Sequence, residues 1–463
     1  MSTKAVVMTE GSLGKKILLF SLPLMLSNVL QILFTMSDVA VVGRFAGSLA
    51  LGSVGSTTTL VMLFTGFLIG VGAGINVIVA RFCGARDQKN TQEAIHTAAL
   101  LSLIIGLAIM CIGELLTRPL LELLGTKPDL IDGATVYLRI YFLGLPALAV
   151  FNFGNAVLSA VGDTKRPLLY LSLSGVLNVI INLIFVIALH MGVAGVAFAS
   201  IIAQYVSAIL VVLCLLRSRG IHVLRIKKLQ LHPGKAARIL ALGIPAGCQN
   251  AIFHIANLFI QASVNSFDTV MVAGNSAAAN ADGLVYDVMA AFYTACSSFM
   301  SQNYGAGKRE RILKSYFISL AYSFAAGAVL GGLLVVFGRS FLSLFATDEA
   351  VIKAGMTRLT IMGLSYCVSA LMDATIAAAR GIGKSLWPTV IVIMGSCVFR
   401  VIWVYTVFAH FGTIQSLYLL YVFSWTITAL AEAIYFVHSY RKQMKQFRLI
   451  PPDLPSDTTE VFS

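Results

Sequence analysis

The chain alternates between long apolar segments and short polar ones. Twelve apolar segments can be marked, each long enough to cross a bilayer as an α-helix, which needs ~20 residues. Because backbone groups in lipid must pair within their own segment, we expect all twelve to be helices. The predicted spans cover residues 17–42, 51–80, 95–116, 134–161, 168–189, 193–216, 238–264, 274–302, 315–337, 355–380, 388–410 and 414–439.

The second half of the chain repeats the first at a nearly constant offset. The matched pairs include Pro23 and Pro245, Asn28 and Asn250, Gly162 and Gly383, and Pro167 and Pro388. Six helices in each copy make the two repeats parallel, related by an axis along the membrane normal. We therefore predict an all-α polytopic membrane protein in which two six-helix lobes form a V-shaped cleft, an arrangement typical of alternating access.

The predicted domains follow from this repeat. The N-terminal lobe covers residues 1–216, a basic cytoplasmic linker covers 217–237, and the C-terminal lobe covers 238–440. The polar, proline-rich segment at 446–463 is predicted to be a disordered cytoplasmic tail, because it has too few apolar residues to form a core.

Lys and Arg residues are unevenly divided between the two ends of the predicted helices. Most of the 33 Lys and Arg residues fall on the side that holds both termini. The positive-inside rule makes that side cytoplasmic, so we expect a multi-pass protein of a bacterial plasma membrane with both termini inside. The basic residues assigned to the opposite side are Arg44, Arg118, Lys127, Arg139, Arg339, Lys353 and Arg358.

Composition agrees with a membrane protein and excludes several other classes. The chain is 58% hydrophobic and 11% charged, whereas a soluble domain carries roughly 25% charged residues. The net charge of +13 lies in basic clusters between apolar runs, so it indicates topology rather than nucleic-acid binding. The seven cysteines occur singly without a C-x-x-C pair, which is typical of small buried apolar residues rather than a metal site.

A few formal charges fall well inside the predicted spans. Charged residues in a span are costly and indicate a functional site. With five acids and one base, the membrane interior is negative and would attract cations. The alternative is that these groups only pair with one another and hold helices together. They are Asp38, Asp282, Asp287, Asp373, Arg400 and Glu432.

In the first lobe, Asp38 is the only such charge, so its partners must be neutral. Asn178 and Asn182 are four residues apart and share a helix face. Counting from the outer helix ends places Asp38, Asn182 and Ser200 at similar depths, ~7–11 Å below the edge. One carboxylate with amide and hydroxyl groups at one level suits Na⁺, or a proton carried by the carboxylate itself. The alternative is a set of interhelical hydrogen bonds, which are common in membrane bundles.

In the second lobe, Asp373, Glu432 and Arg400 lie at similar depths. We expect Arg400 to pair with one of these two acids and leave the other available. Asp282 and Asp287 are five residues apart, ~140° around a helix, so they should face different surroundings. Asp282, Asp373 and Glu432 are the predicted cavity acids that attract a cationic substrate, although which of Asp282 and Asp287 faces the cleft stays open.

Several motifs together resemble the multidrug and toxic compound extrusion (MATE) family of cation-coupled exporters. They include MSDVAVVGRFAG (residues 36–47), AVLSAVGDTKRP (156–167), SQNYGAGKR (301–309) and AARGIGKSLWP (378–388). The resemblance covers roughly residues 10–440. It implies two six-helix lobes in a V and the exchange of Na⁺ or H⁺ for organic cations.

The resemblance also implies roles for individual residues. Asp38 falls on the coupling-ion carboxylate of the family, supported by Asn178, Asn182 and Ser200, and Asp373 falls on the acid of the tenth helix. Asn182 departs from the sodium-site pattern, which has Asp there, and the loss of that charge favours a proton over Na⁺. No metal other than Na⁺ at Asp38 is implied.

We therefore predict an antiporter that exports small organic cations in exchange for H⁺ or Na⁺. We expect it to be a monomer in the lipid bilayer, with no cofactor and no nucleic-acid partner. The alternative is a flippase for lipid-linked precursors with the same two-lobe fold. Such substrates carry phosphates and call for several intramembrane Arg or Lys residues, whereas only Arg400 is predicted there. A membrane-embedded enzyme would need clustered carboxylates such as D-x-x-x-D, which the predicted spans lack, so we expect no enzyme.

Overall fold

The computed structural model describes residues 5–218 and 220–447. These residues form twelve long helical segments in two sets of six, which confirms the predicted all-α polytopic fold. The segments are α1 (Leu13–Phe45), α2 (Gly47–Gly84), α3 (Gln88–Leu123), α4 (Pro128–Phe142 with Leu145–Ala160), α5 (Lys165–Leu183), α6 (Gly192–Arg217), α7 (Pro233–Val264), α8 (Thr269–Gly305), α9 (Arg309–Leu342), α10 (Glu349–Gly381), α11 (Leu386–Phe411) and α12 (Ile414–Phe447).

Length and apolar composition agree with a membrane-spanning bundle. Within the described residues, ten helices are long and apolar enough to cross a membrane, and α4 makes an eleventh when its bent pair is one span. The remaining segment, α8, is 37 residues long and carries polar residues along its first half. Residues 448–463, which hold most of the predicted tail, lie outside the described residues.

Three of the predicted helices are irregular. The two parts of α4 meet at an angle of 46°, beside Gly144 and Pro146. A Cβ atom on Gly144 would lie 2.2 Å from Gln204 Oε1 of α6, so the absence of a side chain at the bend lets α6 approach. Helix α5 continues into a π-helical turn at Ile184–Ala188, and α11 contains two such turns. These irregularities are absent from the sequence prediction, which treated each span as one regular helix.

The two lobes meet along α2 and α7, where glycines allow the backbones to touch. A Cβ atom on Gly70 would lie 2.3 Å from the Gly247 nitrogen, and one on Gly74 would lie 2.6 Å from the Gly243 nitrogen. Small residues at a helix crossing are typical of close packing in membranes. We call the end of the bundle at which α1 begins the basic end, and this crossing lies in the half of the bundle nearest to it.

Residues 6–11, which we call the N-terminal strap, join both lobes at the basic end. The Val6 nitrogen donates to the Gly162 carbonyl of the first lobe at 2.9 Å. From the second lobe, Lys308 Nζ donates to the carbonyl of residue 9 at 3.0 Å, and the Arg311 guanidinium donates to the carbonyls of residues 8, 10 and 11. Met8 is fully buried between them. The strap therefore ties the lobes together where they are closest.

Away from the basic end, the lobes separate. The interlobe hydrogen bonds between helices reach as far as Asn28 Nδ2 to the Asp287 carbonyl at 2.8 Å and Asn250 Nδ2 to the Gly66 carbonyl at 3.0 Å. Beyond this level, large apolar side chains on the helices of both lobes are exposed, and the two lobes form a V that is closed at the basic end. These side chains include Leu33, Met36, Met62, Ile255 and Phe259.

Candidate functional site

In the first lobe, the carboxylate of Asp38 is held by two neutral side chains. Asn182 Nδ2 donates to Asp38 Oδ1 at 2.8 Å, and the Ser200 hydroxyl donates to Oδ2 at 3.2 Å. Asn178 Nδ2 in turn donates to the Ser200 oxygen at 3.5 Å. The structure thus brings Asp38, Asn182 and Ser200, which the sequence placed at one level, into contact, with Asn178 beside them. Their function as a coupling site stays a prediction.

The position of the site follows from the packing of α1 against α5. A Cβ atom on Gly175 would lie 1.8 Å from the Phe34 ring, so only glycine at this point lets α1 approach α5 closely. Asn178 and Asn182 lie one and two turns further along α5 and are buried, whereas Asp38 is half-buried. The π-helical turn at Ile184–Ala188 follows Asn182 at once, and such turns are frequent at functional sites.

Two amide oxygens of the residues around Asp38 are unused. Among the described side chains, Asn178 Oδ1 and Asn182 Oδ1 are buried without a hydrogen-bond partner. An amide oxygen buried without a partner costs free energy unless something fills the position. Asp38 and these oxygens could accept from a protonated group or surround a small cation. The two donors on Asp38 stabilise its ionised form, and protonation of the carboxylate would weaken both hydrogen bonds.

In the second lobe, Asp282 is paired rather than free, and its function as a cavity acid stays a prediction. Its Oδ2 accepts from Arg358 Nε at 3.1 Å, and its Oδ1 accepts a short hydrogen bond from the Tyr366 hydroxyl. Arg358 Nη1 also donates to Asn275 Oδ1 at 2.8 Å, and Asn275 Oδ1 accepts from Tyr418 at 3.1 Å. The charge of Asp282 is therefore neutralised inside the lobe.

Arg358 is the partner that the sequence prediction missed. It was assigned to the outer end of its helix, but it is only 6% exposed and lies above the rings of Tyr418 and Tyr421, at 5.3 and 5.4 Å from their centroids. Asp287, five residues after Asp282, is half-buried, and its carbonyl accepts from Asn28 of the first lobe. Of the two acids, Asp282 is paired within its own lobe and Asp287 lies where the lobes meet.

Arg400 is not paired with Asp373 or Glu432, so the predicted ion pair is wrong in this structure. Arg400 Nε donates to Ser424 Oγ at 3.1 Å, and its guanidinium carbon lies 4.6 Å from the centroid of the Tyr421 ring. Among the described residues, no ion pair within 4.0 Å includes Arg400. Aromatic faces and a hydroxyl hold this charge in place of a carboxylate.

Asp373 and Glu432 therefore stand without a cationic partner at contact distance. Asp373 is half-buried and accepts from Ser369 Oγ at 3.1 Å. Glu432 is 0% exposed, and both of its oxygens lack a hydrogen-bond partner among the described residues. Glu432 is thus inside the lobe and does not line a cavity, contrary to the prediction, whereas Asp373 keeps partial access to its surroundings.

The described residues hold no group of three or more His, Cys, Asp or Glu side chains that could bind a metal ion. The seven cysteines are free. The polar chemistry inside the bundle therefore rests on isolated carboxylates and on the neutral or cationic groups around them.

Comparison with known proteins identifies the fold and the family. The MatE family model matches this chain twice, over residues 23–184 and over residues 245–406. The chain belongs to this family. The two matches begin at Pro23 and Pro245, the residues at which the sequence repeat was first recognised, and each covers most of one MATE lobe.

Relatives of this MATE chain are named as multidrug resistance proteins or as a transporter. "Probable multidrug resistance protein YpnP" of Bacillus subtilis is 28% identical over 78% of this chain and 81% of its own length. The "FAD transporter" of Shewanella oneidensis is 25% identical over 74% of this chain and 77% of its own length. A solved structure described as MATE in the bent conformation superimposes with a TM-score of 0.88 at 22% identity, covering 97% of this chain and all of that one. The last match shows that the folds agree.

Proposed function

We propose that this MATE-family protein is an antiporter that exports small organic cations across a bacterial plasma membrane, works as a monomer, and is driven by a proton gradient. The observation that carries the proposal is the environment of Asp38. It is a carboxylate in a membrane-spanning helix whose hydrogen-bond partners, Asn182 and Ser200, are neutral. Such a carboxylate can change its charge without leaving a buried partner charge unbalanced.

The choice of proton over Na⁺ follows from the same contacts. Both oxygens of Asp38 already accept hydrogen bonds, so Na⁺ would share these oxygens with the two donors. Binding Na⁺ here would also involve a single formal negative charge, because position 182 is Asn rather than Asp. A proton needs only the one carboxylate, and we place it on Asp38 in the exchange cycle.

Asp373 is the proposed acid for substrate attraction in the second lobe. It is half-buried and has only Ser369 as a side-chain hydrogen-bond donor among the described residues. Arg358 and Arg400 are 6% and 2% exposed, so neither guanidinium presents an open positive charge to the cleft. A cleft in which Asp373 is partly accessible and the guanidinium groups of Arg358 and Arg400 are buried suits cations. It does not suit a phosphate-bearing flippase substrate, nor an anion such as the FAD in the name of the Shewanella relative.

We place the basic end in the cytoplasm, because most Lys and Arg residues lie there. In this orientation both termini are cytoplasmic and the V opens to the outside. The N-terminal strap and the α2–α7 crossing then form the cytoplasmic closure, and these contacts would have to open when the substrate enters from inside.

The test is efflux of a fluorescent organic cation from proteoliposomes under separately imposed pH and Na⁺ gradients. We expect the pH gradient to drive transport, and we expect D38N to remove the response. D129N, which removes an exposed carboxylate at the start of α4, is the matched control and should transport like the parent. Transport that follows neither gradient and is unchanged in D38N would refute the proposal.

A further inference from the structure

A groove between α5 and α6 at the basic end combines positive charge with apolar walls. Its volume is about 590 Å³, and Arg166, Tyr170, Leu213, Arg217 and His222 are among the residues that line it. Arg166 and Tyr170 are one turn apart on α5, Leu213 and Arg217 are one turn apart on α6, and the chain after α6 brings His222 over the groove. The function proposed above does not use this groove.

The charge in the groove comes from two guanidinium groups. Arg166 is partly balanced by Asp163, with Nε and Oδ2 at 3.2 Å, and its side chain is 31% exposed. Arg217 is exposed and has no acidic partner within 4.0 Å among the residues described. Burial, assisted by Arg166, lowers the pKa of His222. His222 is therefore neutral at pH 7 and adds a hydrogen-bonding ring rather than a third charge. The groove keeps a net positive charge that an anion could balance.

The apolar side of the groove continues toward the middle of the bundle. Leu169 and Leu173 on α5 are 55% and 53% exposed, and Leu213 on α6 is 40% exposed. Apolar side chains exposed at this position of a membrane protein face acyl chains. Tyr170 lies between Arg166 and Leu173 along α5, near the helix end, where aromatic residues are enriched in membrane proteins. Arginines at the basic end and leucines toward the middle of the bundle match a molecule with an anionic head and hydrocarbon chains.

We propose that this groove binds the phosphate of an anionic phospholipid between Arg166 and Arg217, with an acyl chain along the leucines of α5 and α6. Arg is well suited to phosphate because its guanidinium can donate two parallel hydrogen bonds. Basic pockets between membrane helices on the cytoplasmic side are known sites for lipid head groups. The bound lipid would clamp α5 to α6, the helices that carry Asn178, Asn182 and Ser200.

The second lobe provides an internal comparison. Arg166 immediately precedes Pro167, and at the matching position before Pro388 the chain has Trp387, which is 61% exposed. The repeat thus preserves the proline but not the arginine before it. Arg166 of the proposed lipid site has no counterpart at this position of the second lobe.

The test measures lipid binding directly and does not depend on transport. The purified full chain in neutral detergent is titrated with phosphatidylglycerol, phosphatidylcholine or inorganic phosphate. Native mass spectrometry and thermal unfolding are the readouts. We expect phosphatidylglycerol to bind and raise the unfolding temperature, and the other two to have much smaller effects. R217Q should bind phosphatidylglycerol about fivefold more weakly, the effect of one basic residue near an anionic lipid surface.

The controls separate this groove from general attraction to a basic surface. K227Q removes one exposed positive charge from the same linker region outside the groove and should bind phosphatidylglycerol like the parent. R217K keeps the charge and should retain most of the binding. Equal weakening in K227Q and R217Q would overturn the proposal, as would unchanged binding in R217Q. An equal response to inorganic phosphate would overturn the assignment to a lipid.

Discussion

Asp38 of the first lobe and Asp282 of the second are both acids within membrane helices, yet their surroundings differ in one respect. Asp38 accepts hydrogen bonds from the neutral side chains of Asn182 and Ser200. Asp282 is bound by the guanidinium of Arg358 and the hydroxyl of Tyr366. Protonating Asp38 changes one charge, whereas protonating Asp282 would leave the charge of Arg358 buried and unbalanced.

This difference separates an acid suited to transport from an acid suited to holding helices. A buried ion pair contributes little net stability, but breaking it by removing one partner is costly. The Asp282–Arg358 pair joins α8 to α10, so it favours a rigid second lobe. The neutral environment of Asp38 lets its charge vary, and we infer that the first lobe is the part that responds to the ion gradient.

The largest expected effect is on coupled transport in D38N. Since Asn cannot carry the proton, efflux driven by a pH gradient should fall to the level of empty vesicles. The unfolding temperature should stay close to that of the parent, because an amide can still contact Asn182 and Ser200. Fluorescent cation efflux and thermal unfolding of the same preparation check both statements. If D38N unfolded at a much lower temperature than the parent, Asp38 would be structural. The contrast with Asp282 would then be lost.

The next largest effect is on stability in R358M. Removing the guanidinium leaves Asp282 buried without its counter-charge, which should cost about 3–5 kcal/mol in free energy of unfolding. The double variant D282N/R358M removes both charges and should regain most of that loss. Denaturant unfolding in detergent micelles measures the free energy of unfolding of the parent, R358M and D282N/R358M. If the double variant is as unstable as R358M, the ion pair is not the source of the effect.

A smaller effect is expected from N182D, which gives the first lobe a second carboxylate beside Asp38. Two acids would bind Na⁺ more strongly than one, because the attraction between opposite charges is strong away from bulk water. We expect N182D to transport faster when a Na⁺ gradient is imposed, whereas the parent should not respond to Na⁺. S200A is the control, since it alters the same site without adding charge. A parent protein that already responds to Na⁺ would contradict the choice of a proton.

The grouping of Asp38, Asn182 and Ser200 could be predicted from the sequence because depth in a regular helix follows from counting residues. A rise of 1.5 Å per residue converts a distance from the helix end into a level in the membrane. The ends of these helices are marked by polar residues, so the levels were approximately right. The close approach of α1 to α5 at Gly175 and Phe34 does not enter this count of residues.

Arg358 and Arg400 show where counting fails. The tenth span was predicted to begin at residue 355, but α10 begins at Glu349, which places Arg358 nine residues from the helix end and ~13 Å deep. For Arg400, the predicted depth in the membrane was acceptable, but the predicted neighbour of its side chain was wrong. The π-helical turns Ile393–Val398 and Val404–Phe408 flank it, and a π-helical turn changes which neighbour a side chain faces.

The smallest expected effect tests the corrected environment of Arg400. If Arg400 and Glu432 do not contact each other, the losses of unfolding free energy in R400M and E432Q should add within about 0.5 kcal/mol in the double variant. R400M alone should be less stable than the parent, because it loses the Tyr421 ring contact and the hydrogen bond to Ser424. E432Q should be close to the parent, since neither carboxyl oxygen has a partner to lose among the described residues. A coupling energy of several kcal/mol between R400M and E432Q would indicate an Arg400–Glu432 ion pair. The charge of Glu432 would then be balanced by an arginine, as the charge of Asp282 is.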